Sequence, residues 1–578
     1  MRALQRTAPY ASGTGVPLPA LVMDMARQTP DSQALIADDD VLSYAALAGR
    51  MGIYAAWALR QGIKRGEAVA LLAPNGINYA AVWLGIGSVR GVVALINSQV
   101  SGEALVHALQ VVQARHIIAD AQLMDKVVAV LAALPTETGL WRLAADGGLE
   151  EVRAGKSLSI GGEVLLQDET GPGLSDLALY IYTSGTTGLP KAARLSHRRI
   201  AEWSCWFAGM LNLGPADRLY NCLPMYHSVG GVVAVGSMLV SGGSVVIRPK
   251  FTAHQFWEEI VRFDCTVFQY IGELCRYLLN MSPNAQETGH RLRLACGNGL
   301  RPDIWEAFRS RFQVPRIVEF YASTEGNLAL YNYTDRAGAI GHVPKFLAHR
   351  FPVAIVRCDA ETLTLLRDEK GLCVQCGAGE AGEALGRISN SGRSFDGYVE
   401  QAASTAKIAS DVFVEGDTWY RTGDLMQRDR EGYYYFVDRL GENFRWKGEN
   451  VAASEVAAAL RGLEGILDAV VYRVEVPGME GRAGMAAIVT DSCFNPKTAY
   501  SDLRRALPDY ACPVFLRLCD EIAVTGTFKP LRTQLAREGY DLSCVDDPIF
   551  ALDRVKKGYV AFDDTRWREI LSAQGGRI

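Results

Sequence analysis

Residues 179–191 read LYIYTSGTTGLPK and form the most informative stretch of the chain. An apolar run that suits a buried strand leads into a loop with two glycines, four Ser or Thr hydroxyls and one lysine. Glycines let backbone N–H groups converge on an anion, hydroxyls add adjustable donors, and a lysine adds a positive charge. The loop is not a Walker A loop, because Pro190 precedes Lys191 where that motif has a glycine. The pattern alone fits either a phosphate-binding loop or an ordinary turn.

The composition is that of a large globular protein. The 578 residues are 49% hydrophobic and 21% charged, which excludes a largely disordered or fibrous chain. A formal net charge of −5 argues against a nucleic-acid-binding surface. The 12 cysteines are scattered, and a chain of this size buries its own core without disulfides, so reduced thiols in the cytoplasm are expected.

Short apolar runs recur along the first third of the chain, each after a helix-like segment. They lie at Ala68–Leu72, Val92–Ile96 and His116–Ala119. Continuous Val, Ala and Leu runs of this length are typical of strands that are buried on both faces. Strands that alternate with helices predict parallel sheets with crossover helices.

The pattern changes after residue 353. Residues 353–437 read as short alternating strands with Gly-rich turns, and a helix at Ser454–Arg461 and a strand at Ala469–Arg473 follow. We therefore expect an α/β protein with a large N-terminal domain, residues 1–437, of layered parallel-rich sheets. It would contain a β-rich subdomain at about 353–437 and be followed by a small mobile α+β domain, residues 438–578.

One uncharged segment is long enough to cross a bilayer. Ser228–Ile247 carries no charge, but Gly242 and Gly243 divide it, so we expect a buried helix, a turn and a β-branched strand. Residues 1–40 contain no uninterrupted apolar stretch after their basic residues, so no secretory signal is expected. Peripheral membrane contact and the oligomeric state are left open.

The string YTSGTTGLPKAA, residues 182–193, resembles the signature loop of the adenylate-forming superfamily. This superfamily comprises acyl- and aryl-CoA synthetases, peptide-synthetase adenylation domains and luciferases. Its other motifs follow in the same order. They are Tyr321–Asn327, similar to the adenine and Mg²⁺ motif; Tyr420–Leu425, similar to the ribose motif; Asp438–Val451, similar to the hinge and the loop after it; and Thr525–Lys529, similar to the site of the C-terminal lysine.

Further segments resemble one branch, that of the fatty acid transport proteins and very-long-chain acyl-CoA synthetases. They are Gly297–Pro302, Asp438–Val451, Glu480–Ala487 and the tail Asp547–Tyr559. The likeness begins near Leu42. The first forty residues differ from eukaryotic members, which often begin with a membrane segment, so a transport role is not assigned.

The resemblance implies a reaction in two halves. A carboxylate attacks the α-phosphate of ATP to give an acyl-adenylate and pyrophosphate, and the thiol of coenzyme A then displaces AMP. Lys529 is implied as the catalytic residue of the first half, because its ammonium can bridge the attacking carboxylate and the α-phosphate. The small domain is then expected to turn about the hinge residue Asp438 and present Lys447 and Gly448 to coenzyme A.

The resemblance also implies the nucleotide-binding residues. Phosphates are assigned to Thr183, Ser184, Gly185, Thr186, Thr187, Gly188 and Lys191, with Thr324 as a catalytic residue beside them. Adenine and ribose are assigned to Gly297, Asn298, Gly299, Tyr321, Asp424 and Arg439. Glu325 is assigned to Mg²⁺, since a carboxylate is a hard oxygen ligand suited to a metal that bridges phosphates. Taken singly, Tyr321 would read as a core aromatic residue and Asp424 as a turn residue.

Tyr226 and His227 match the family segment that borders the acyl pocket, although a lone histidine is commonly a satisfied core residue. An apolar cluster at Trp203, Trp206, Phe207, Met210 and Leu211 suits either the wall of a long-chain tunnel or the core. The function expected first is an AMP-forming fatty acid–CoA ligase that uses ATP, Mg²⁺ and coenzyme A. Alternatives are a ligase that loads a carrier protein or uses a sterol or bile-type acid, and a non-catalytic fatty-acid uptake or binding protein.

Overall fold

A computed structural model describes the chain except residues 39, 153–155, 159–170, 185–188, 360–361, 389–394, 441–443, 447–448, 477–480, 527–528, 564, 566–567 and 569–578. At residues 156–158, 184, 445 and 450 it describes the backbone only. The chain divides into two compact units, here called unit 1 and unit 2. Unit 1 comprises Met1–Phe351, Gly386–Ala409 and Thr418–Tyr420, and unit 2 comprises Pro352–Leu385, Ser410–Asp417 and Arg421–Ile578. The domain boundary at Asp438 stays a prediction, because Asp438 is expected to be a hinge and a hinge is defined by the motion of one domain relative to the other.

The strands are numbered in chain order. They are β1 Gln33–Ala37, β2 Asp40–Ser43, β3 Ala68–Leu72, β4 Val92–Leu95, β5 His116–Asp120, β6 Gly139–Leu143, β7 Leu149–Glu151, β8 Lys156–Leu158, β9 Leu177–Ser184, β10 Pro190–Ser196, β11 Arg218–Asn221, β12 Ser244–Ile247, β13 Val267–Ile271, β14 Leu294–Asn298, β15 Ile317–Ala322, β16 Ala329–Asn332, β17 Gly341–His342, β18 Val353–Val356, β19 Gly382–Arg387, β20 Ile408–Ser410, β21 Thr418–Arg428, β22 Tyr433–Arg439, β23 Phe444–Trp446, β24 Glu449–Val451, β25 Ile466–Val474, β26 Ala483–Thr490, β27 Phe515–Leu518, β28 Ile549–Asp553 and β29 Gly558–Ala561.

The α-helices are α1 Arg2–Ala11, α2 Leu18–Gln28, α3 Tyr44–Arg60, α4 Ile77–Ser88, α5 Gly102–Val111, α6 Met124–Val128, α7 His197–Met210, α8 Ser237–Leu239, α9 Phe256–Arg262, α10 Gly272–Asn280, α11 Pro302–Phe312, α12 Gln401–Thr405, α13 Ala453–Arg461, α14 Pro496–Leu503 and α15 Arg532–Glu538. Short 3₁₀ turns lie at Ala121–Leu123, Leu131–Ala133, Lys345–Arg350 and Asp509–Ala511, and a π-helix occupies Val229–Gly236.

Unit 1 is built on two large sheets. The first has the strand order β16-β15-β14-β13-β11-β12-β1-β2, and the second has the order β10-β9-β4-β3-β5-β6-β7-β8. The inner strands pair in parallel and antiparallel strands lie at the ends of both orders. The predicted α/β fold class with parallel-rich sheets is therefore confirmed.

The three apolar runs predicted as strands are β3, β4 and β5. Strands β3 and β4 are buried at every residue, and β3 pairs in parallel with both β4 and β5. Helix α4 follows β3 and is almost entirely apolar and buried, as expected for a crossover helix that is covered on all sides. One apolar core in unit 1 includes residues of both sheets and of the helices between them.

The uncharged segment Ser228–Ile247 folds as the sequence predicts. The π-helix leads into α8, a turn follows at Gly242, whose φ is +76°, and β12 completes the segment. Gly230 and Gly231 lie near the start of the π-helix, and a Cβ atom on Gly231 would overlap the carbonyl oxygen of Met225. Among the described residues, no helix is both long and apolar enough to cross a membrane.

Unit 2 contains its own sheets. Strands β22, β21, β19 and β18 are neighbours in one sheet, β23 and β24 form a hairpin, and β25 to β29 form a further sheet in chain order. A separate core that includes Trp446, Val471 and Phe515 lies under α13 and this last sheet. The predicted helix at Ser454–Arg461 corresponds to α13, and the predicted strand at Ala469–Arg473 lies within β25.

Candidate functional site

The signature loop connects two paired strands of unit 1. β9 and β10 are antiparallel, and Thr183 lies opposite Lys191 in their register. Pro190 is the first residue of β10, a position where its missing N–H is tolerated. This pairing brings the two ends of the loop together. Gly185, Thr186, Thr187, Gly188 and the Ser184 side chain lie outside the described residues, so their phosphate-binding role stays a prediction.

The Glu325 carboxylate is buried, with 8% of the residue exposed. Its Oε1 accepts a hydrogen bond of 2.9 Å from the Tyr420 hydroxyl, which is also 2.9 Å from the Ser323 hydroxyl. Burial and the neighbouring Glu325 charge raise the pKa of Tyr420, and that of Tyr398, well above the ordinary value, so the Tyr420 phenol is protonated and donates.

The backbone that carries Glu325 is held by a buried arginine. Arg199 lies in the first turn of α7, which Ser196 caps by accepting the Arg199 backbone N–H. Its guanidinium donates to the carbonyl oxygen of Glu325 at 3.3 Å and to that of Gly326. Burial lowers the pKa of Arg199, but a guanidinium keeps its charge in proteins. The loop is thus fixed from its backbone as well as from its side chain.

Thr324 connects this loop to the predicted acyl-pocket segment. Its hydroxyl lies 3.1 Å from the Ser228 hydroxyl, next to Tyr226 and His227. The rings of Tyr226 and His227 are in contact, with centroids 4.6 Å apart, and burial raises the pKa of Tyr226 to about 12. The structure therefore brings Thr324 together with the Tyr226–Ser228 segment. Contact of Tyr226 and His227 with an acyl chain stays a prediction.

The apolar cluster on α7 separates into two groups. Phe207 and Leu211 are buried in the core of unit 1, which agrees with the core interpretation for these two. Trp203, Trp206 and Met210 are partly buried at its edge. The Trp206 ring contacts Tyr331 and Phe351, with centroids 5.1 Å and 5.7 Å away.

The predicted adenine loop, Gly297–Gly299, covers the end of β14 and the residue after it, and is shaped by glycines. Gly299 has a φ of +84°, and a Cβ on Gly272 or Gly297 would overlap the backbone at Gly299 or Tyr270, respectively. The Asn298 Oδ1 atom is buried and has no hydrogen-bond partner among the described residues. A buried amide oxygen without a partner is costly, so a ligand that donates a hydrogen bond would stabilise this loop. Tyr321, half-buried, is in β15, which pairs with β14.

A buried carboxyl lies directly beneath this loop. Glu319 Oε1 accepts from the Leu300 N–H at 3.1 Å, and Oε2 accepts from the Tyr270 hydroxyl at 2.5 Å. Burial raises the pKa of Glu319 to about 8. The hydrogen bonds favour the charged form and would by themselves lower this pKa, so the effect of burial is the larger one. Glu319 thus ties β15 to the Gly299–Leu300 backbone.

In unit 2, Asp424 and Arg439 lie opposite each other on β21 and β22. Arg439 Nε donates to Asp424 Oδ1 at 3.0 Å, and the Asp424 N–H donates to the Thr422 hydroxyl at 3.0 Å. Gly423 just before Asp424 has a φ of +76°, and its N–H donates to Glu383 at 3.1 Å. The structure therefore brings together the two residues assigned to the ribose.

Two other predicted residues of unit 2 have contrasting surroundings. Asp438 is buried, and its carboxylate accepts from the backbone N–H groups of Arg439 at 2.8 Å and Ser454 at 3.3 Å. Lys529 is exposed. Its carbonyl oxygen accepts a hydrogen bond of 2.8 Å from the Thr525 N–H. Lys447 and Gly448 lie outside the described residues.

The donor set suits magnesium better than a metal held by protein alone. Within the described part of the chain, no group of three or more His, Cys, Asp or Glu side chains could hold a metal ion. Mg²⁺ usually takes one or two carboxylates, several waters and the phosphates of its substrate. The buried Glu325 carboxylate, oriented by Tyr420, fits that requirement.

Comparison with known proteins gives the family. The family described as "AMP-binding enzyme" matches residues 23–383, well over half of the chain. This chain is an AMP-binding enzyme. The resemblance to the adenylate-forming superfamily is thereby confirmed. The family match also supports the predicted class of AMP-forming ligases.

Curated relatives of this AMP-binding enzyme agree with the predicted branch. Long-chain fatty acid transport protein 1 of Mus musculus is 39% identical over 560 residues, 95% of this chain and 86% of the relative. Long-chain fatty acid transport protein 3 of Homo sapiens is 38% identical over 515 residues, 88% of this chain and 75% of the relative. At this identity and coverage the chain belongs to the fatty acid transport protein family.

Solved structures support the fold of this AMP-binding enzyme. ATP-bound MatB from Rhodopseudomonas palustris is 22% identical with a TM-score of 0.75, covering 91% of this chain and 100% of that one. The anthranilate CoA ligase AuaEII in complex with anthranoyl-AMP is 19% identical with a TM-score of 0.73, covering 90% and 96%. At these identities the likeness concerns the fold.

Several residues of the site escaped the sequence analysis. They are Arg199, Glu319 and Tyr398. A weak signal existed for Glu319, because a carboxyl inside the apolar strand sequence IVEFYA needs a partner. The others act through contacts between distant parts of the chain, which no local pattern indicates.

Proposed function

We propose that this protein is an ATP-dependent acid–thiol ligase that activates a long- or very-long-chain fatty acid as its acyl-adenylate and then forms the coenzyme A thioester. The observation that carries the proposal is the Glu325 carboxylate, buried and oriented by the protonated Tyr420 phenol directly after Thr324 in the chain. A protein that only bound fatty acids would have no need of such an arrangement. The names of the mouse and human relatives support a long-chain acid as substrate.

In the first half-reaction, the residues of unit 1 would hold the nucleotide. Thr183, Lys191 and the loop between them would bind the phosphates, and Glu325 would hold Mg²⁺. When bound, the metal neutralises charge on the phosphates as pyrophosphate leaves. Asn298 Oδ1, buried without a partner among the described residues, would accept a hydrogen bond from the adenine amino group.

The residues of unit 2 would bind the ribose and complete the chemistry. Asp424 would accept hydrogen bonds from the ribose hydroxyls, as acidic residues do at other nucleotide sites, and the bond from Arg439 orients its carboxylate. The Lys529 ammonium would stabilise the negative charge that builds between the acid and the α-phosphate. The exposed position of Lys529 suits a group that acts in one half-reaction and withdraws in the other.

The acid would lie near Tyr226 and His227. Among the apolar residues of α7, we assign its chain to Trp203, Trp206 and Met210, because their side chains are partly buried whereas Phe207 and Leu211 are already enclosed. A cytoplasmic location stays a prediction from the cysteine usage.

The decisive experiment measures acid-dependent pyrophosphate release by the purified chain. ATP, Mg²⁺ and a panel of medium- to very-long-chain fatty acids, a bile-type acid and short acids would be tested with and without coenzyme A. We expect release with long-chain acids and a thioester product when coenzyme A is present. Release that leads to a thioester only with a phosphopantetheine carrier protein would favour the carrier-loading alternative. No release with any acid would overturn the proposal and leave a binding function.

The hinge is tested at Asp438. Asp438→Pro fixes φ and is expected to spare pyrophosphate release while reducing thioester formation, since the second half-reaction would need the rotation. Asp438→Ala is the matched control, because it loses the same bonds to Arg439 and Ser454 without restricting the backbone. Equal loss of both half-reactions in Asp438→Pro would contradict the hinge.

A further inference from the structure

The turn after β3 links the two large sheets of unit 1. Asn75 lies in this turn, and its Nδ2 donates to the carbonyl oxygens of Leu223 at 2.8 Å and Arg248 at 3.0 Å. Its Oδ1 accepts from the Met225 N–H at 2.8 Å. An asparagine in a turn commonly bonds to the backbone beside it, but these three partners lie at least 148 residues further along the chain.

The three bonds fix the orientation of the Asn75 amide. An asparagine side chain has two donor positions and two acceptor positions, and here both donors and one acceptor are used. Turning the amide over would place its NH₂ group against the Met225 N–H and its oxygen against two carbonyl oxygens. Asn75 therefore holds the backbone immediately before Tyr226 in one position.

A second asparagine holds the same backbone from within the first sheet. Asn221 is the last residue of β11 and is fully buried. Its Oδ1 accepts from the Leu223 N–H at 3.3 Å, and its Nδ2 donates to the Gly230 carbonyl oxygen at 2.9 Å. The segment between β11 and the π-helix is thus bonded to an asparagine from each of the two sheets.

This segment leads to the residues assigned to the acid. The His227 N–H donates to the Pro224 carbonyl oxygen at 3.2 Å, so His227 follows the backbone that Asn75 holds. The Ser228 hydroxyl lies 3.1 Å from the hydroxyl of Thr324, which is a proposed catalytic residue. Tyr226 and His227 are therefore placed at the reacting end of the proposed acyl pocket.

We propose that Asn75 is a positioning residue for the acid, because its bonds to Leu223 and Met225 fix the Tyr226–Ser228 segment where the carboxylate would react. This inference rests on the proposed function. The three bonded partners of Asn75 precede or flank the acyl segment, and none of them is assigned to the nucleotide. Loss of the amide should therefore weaken the use of the acid rather than that of ATP, and it should do so equally for short and long chains.

The test measures acid-dependent pyrophosphate release by the full chain with ATP and Mg²⁺. In Asn75→Ala the KM for the acid should rise about tenfold, the scale of a lost hydrogen bond. The rise should be the same for decanoate and palmitate, whereas the affinity for α,β-methylene-ATP, measured by calorimetry without acid, should stay unchanged. Equal losses for acid and nucleotide would indicate a general structural role and overturn the inference. A rise in KM that grows with chain length would also overturn it.

Asn75→Asp separates the two donated bonds from the accepted one. An aspartate has nearly the same size and can still accept from the Met225 N–H, but it would face the carbonyl oxygens of Leu223 and Arg248 without a proton to donate. The KM for the acid should rise at least as much as in Asn75→Ala. A wild-type KM in Asn75→Asp would show that the donated bonds do not position the segment.

The matched control is Asn78→Ala, three residues away in α4. Asn78 is also half-buried, its Nδ2 donates to the Ala145 carbonyl oxygen at 3.0 Å, and its Oδ1 accepts from Arg50 at 2.5 Å. Its loss should leave the KM for the acid unchanged, and thermal unfolding of all variants is measured in parallel. A rise in KM equal to that in Asn75→Ala would overturn the inference.

The wild type separates this inference from the proposed function. Failure of the wild type to release pyrophosphate with any acid would overturn the proposed function itself. Normal release by the wild type, together with an unchanged KM for the acid in Asn75→Ala, would overturn the inference alone.

Discussion

Glu325 in unit 1 and Lys529 in unit 2 are the two residues with the largest proposed roles, and they are held in opposite ways. Glu325 is buried, with its carboxylate bonded to Tyr420 and its backbone bonded to Arg199. Lys529 is exposed in a turn that is closed by bonds to Thr525. A metal ligand needs a fixed position, whereas a group that serves one step of two needs freedom to withdraw. We therefore expect function and stability to be inseparable around Glu325 and separable at Lys529.

The largest effect is expected from Lys529→Met. Acid-dependent pyrophosphate release should fall about 10²- to 10³-fold, the loss typical of removing one donor that stabilises transition-state charge. The free energy of unfolding should change by less than about 0.5 kcal/mol, because the side chain is exposed. Lys497→Met, at another exposed lysine of unit 2, is the control for release and for urea unfolding. A large loss of stability in Lys529→Met would break the contrast.

Arg199→Met tests the opposite case. It leaves the carbonyls of Glu325 and Gly326 without their donor in a buried position, so the free energy of unfolding should fall by about 3 kcal/mol. Denaturant unfolding measures the change, and pyrophosphate release should fall with it. Arg115→Met removes an exposed ion pair with Glu67 and should cost less than about 1 kcal/mol. Equal costs in the two variants would show that the loop does not depend on Arg199.

Gly326→Ala asks how tightly the same loop is packed. The added methyl group would overlap the Tyr420 ring and the Ser323 hydroxyl, so we expect the free energy of unfolding to fall by about 2 kcal/mol. Gly214→Ala in unit 1 meets open space and should be nearly neutral. The comparison by thermal and urea unfolding sharpens the contrast, since a neutral Gly326→Ala would mean that the Tyr420 ring can move aside.

The smallest effect concerns pH and the carboxyl beneath the adenine loop. The raised pKa of Glu319, about 8 against an ordinary 4.5, means that the folded protein keeps a proton that the unfolded chain releases. Glu319 therefore lowers the free energy of unfolding as pH rises from about 4.5 to about 8, with no further change above. The side chain of Glu319→Gln does not ionise. The free energy of unfolding of this variant minus that of the wild type should therefore rise by about 1 kcal/mol when the pH is raised from 7 to 8.

The control for the pH effect is Asp176→Asn. Burial alone would raise the pKa of Asp176, but bonds from Arg65 and the Gly173 N–H hold it below its ordinary value. Asp176 therefore does not titrate between pH 7 and pH 8, and the difference between Asp176→Asn and the wild type should stay constant. A pH-independent difference for Glu319→Gln, measured by the same urea unfolding, would contradict the assignment.

The sequence predicts most of what is local in this molecule. Strands β3, β4 and β5 are recognised because each is a continuous apolar run, and Thr183, Lys191, Thr324 and Glu325 are recognised because each sits in a contiguous motif. The partners of these motifs are not predictable in the same way. Tyr420 reaches Glu325 across 95 residues, and Arg199 reaches Gly326 across 127 residues. Such contacts depend on tertiary packing, which leaves no periodic signal.

The segment after His227 shows a second limit. Its burial and its division at Gly242 are predictable, but its π-helical form is not. The residues Val229–Gly236 are all apolar or glycine, so no polar face reveals how many residues make up a turn.

That π-helix also makes the segment sensitive to length. In a π-helix, hydrogen bonds join residue i to residue i+5, whereas in an α-helix they join i to i+4. Each hydrogen-bonded turn of the π-helix therefore contains one more residue than a turn of an α-helix. Deleting one residue between Val229 and Gly236 would restore α-helical winding and narrow the helix directly after His227, while α7 and β12 keep their own sequences. Loss of a single residue here is thus a small change in sequence that we expect to alter the helix beside the proposed acyl pocket.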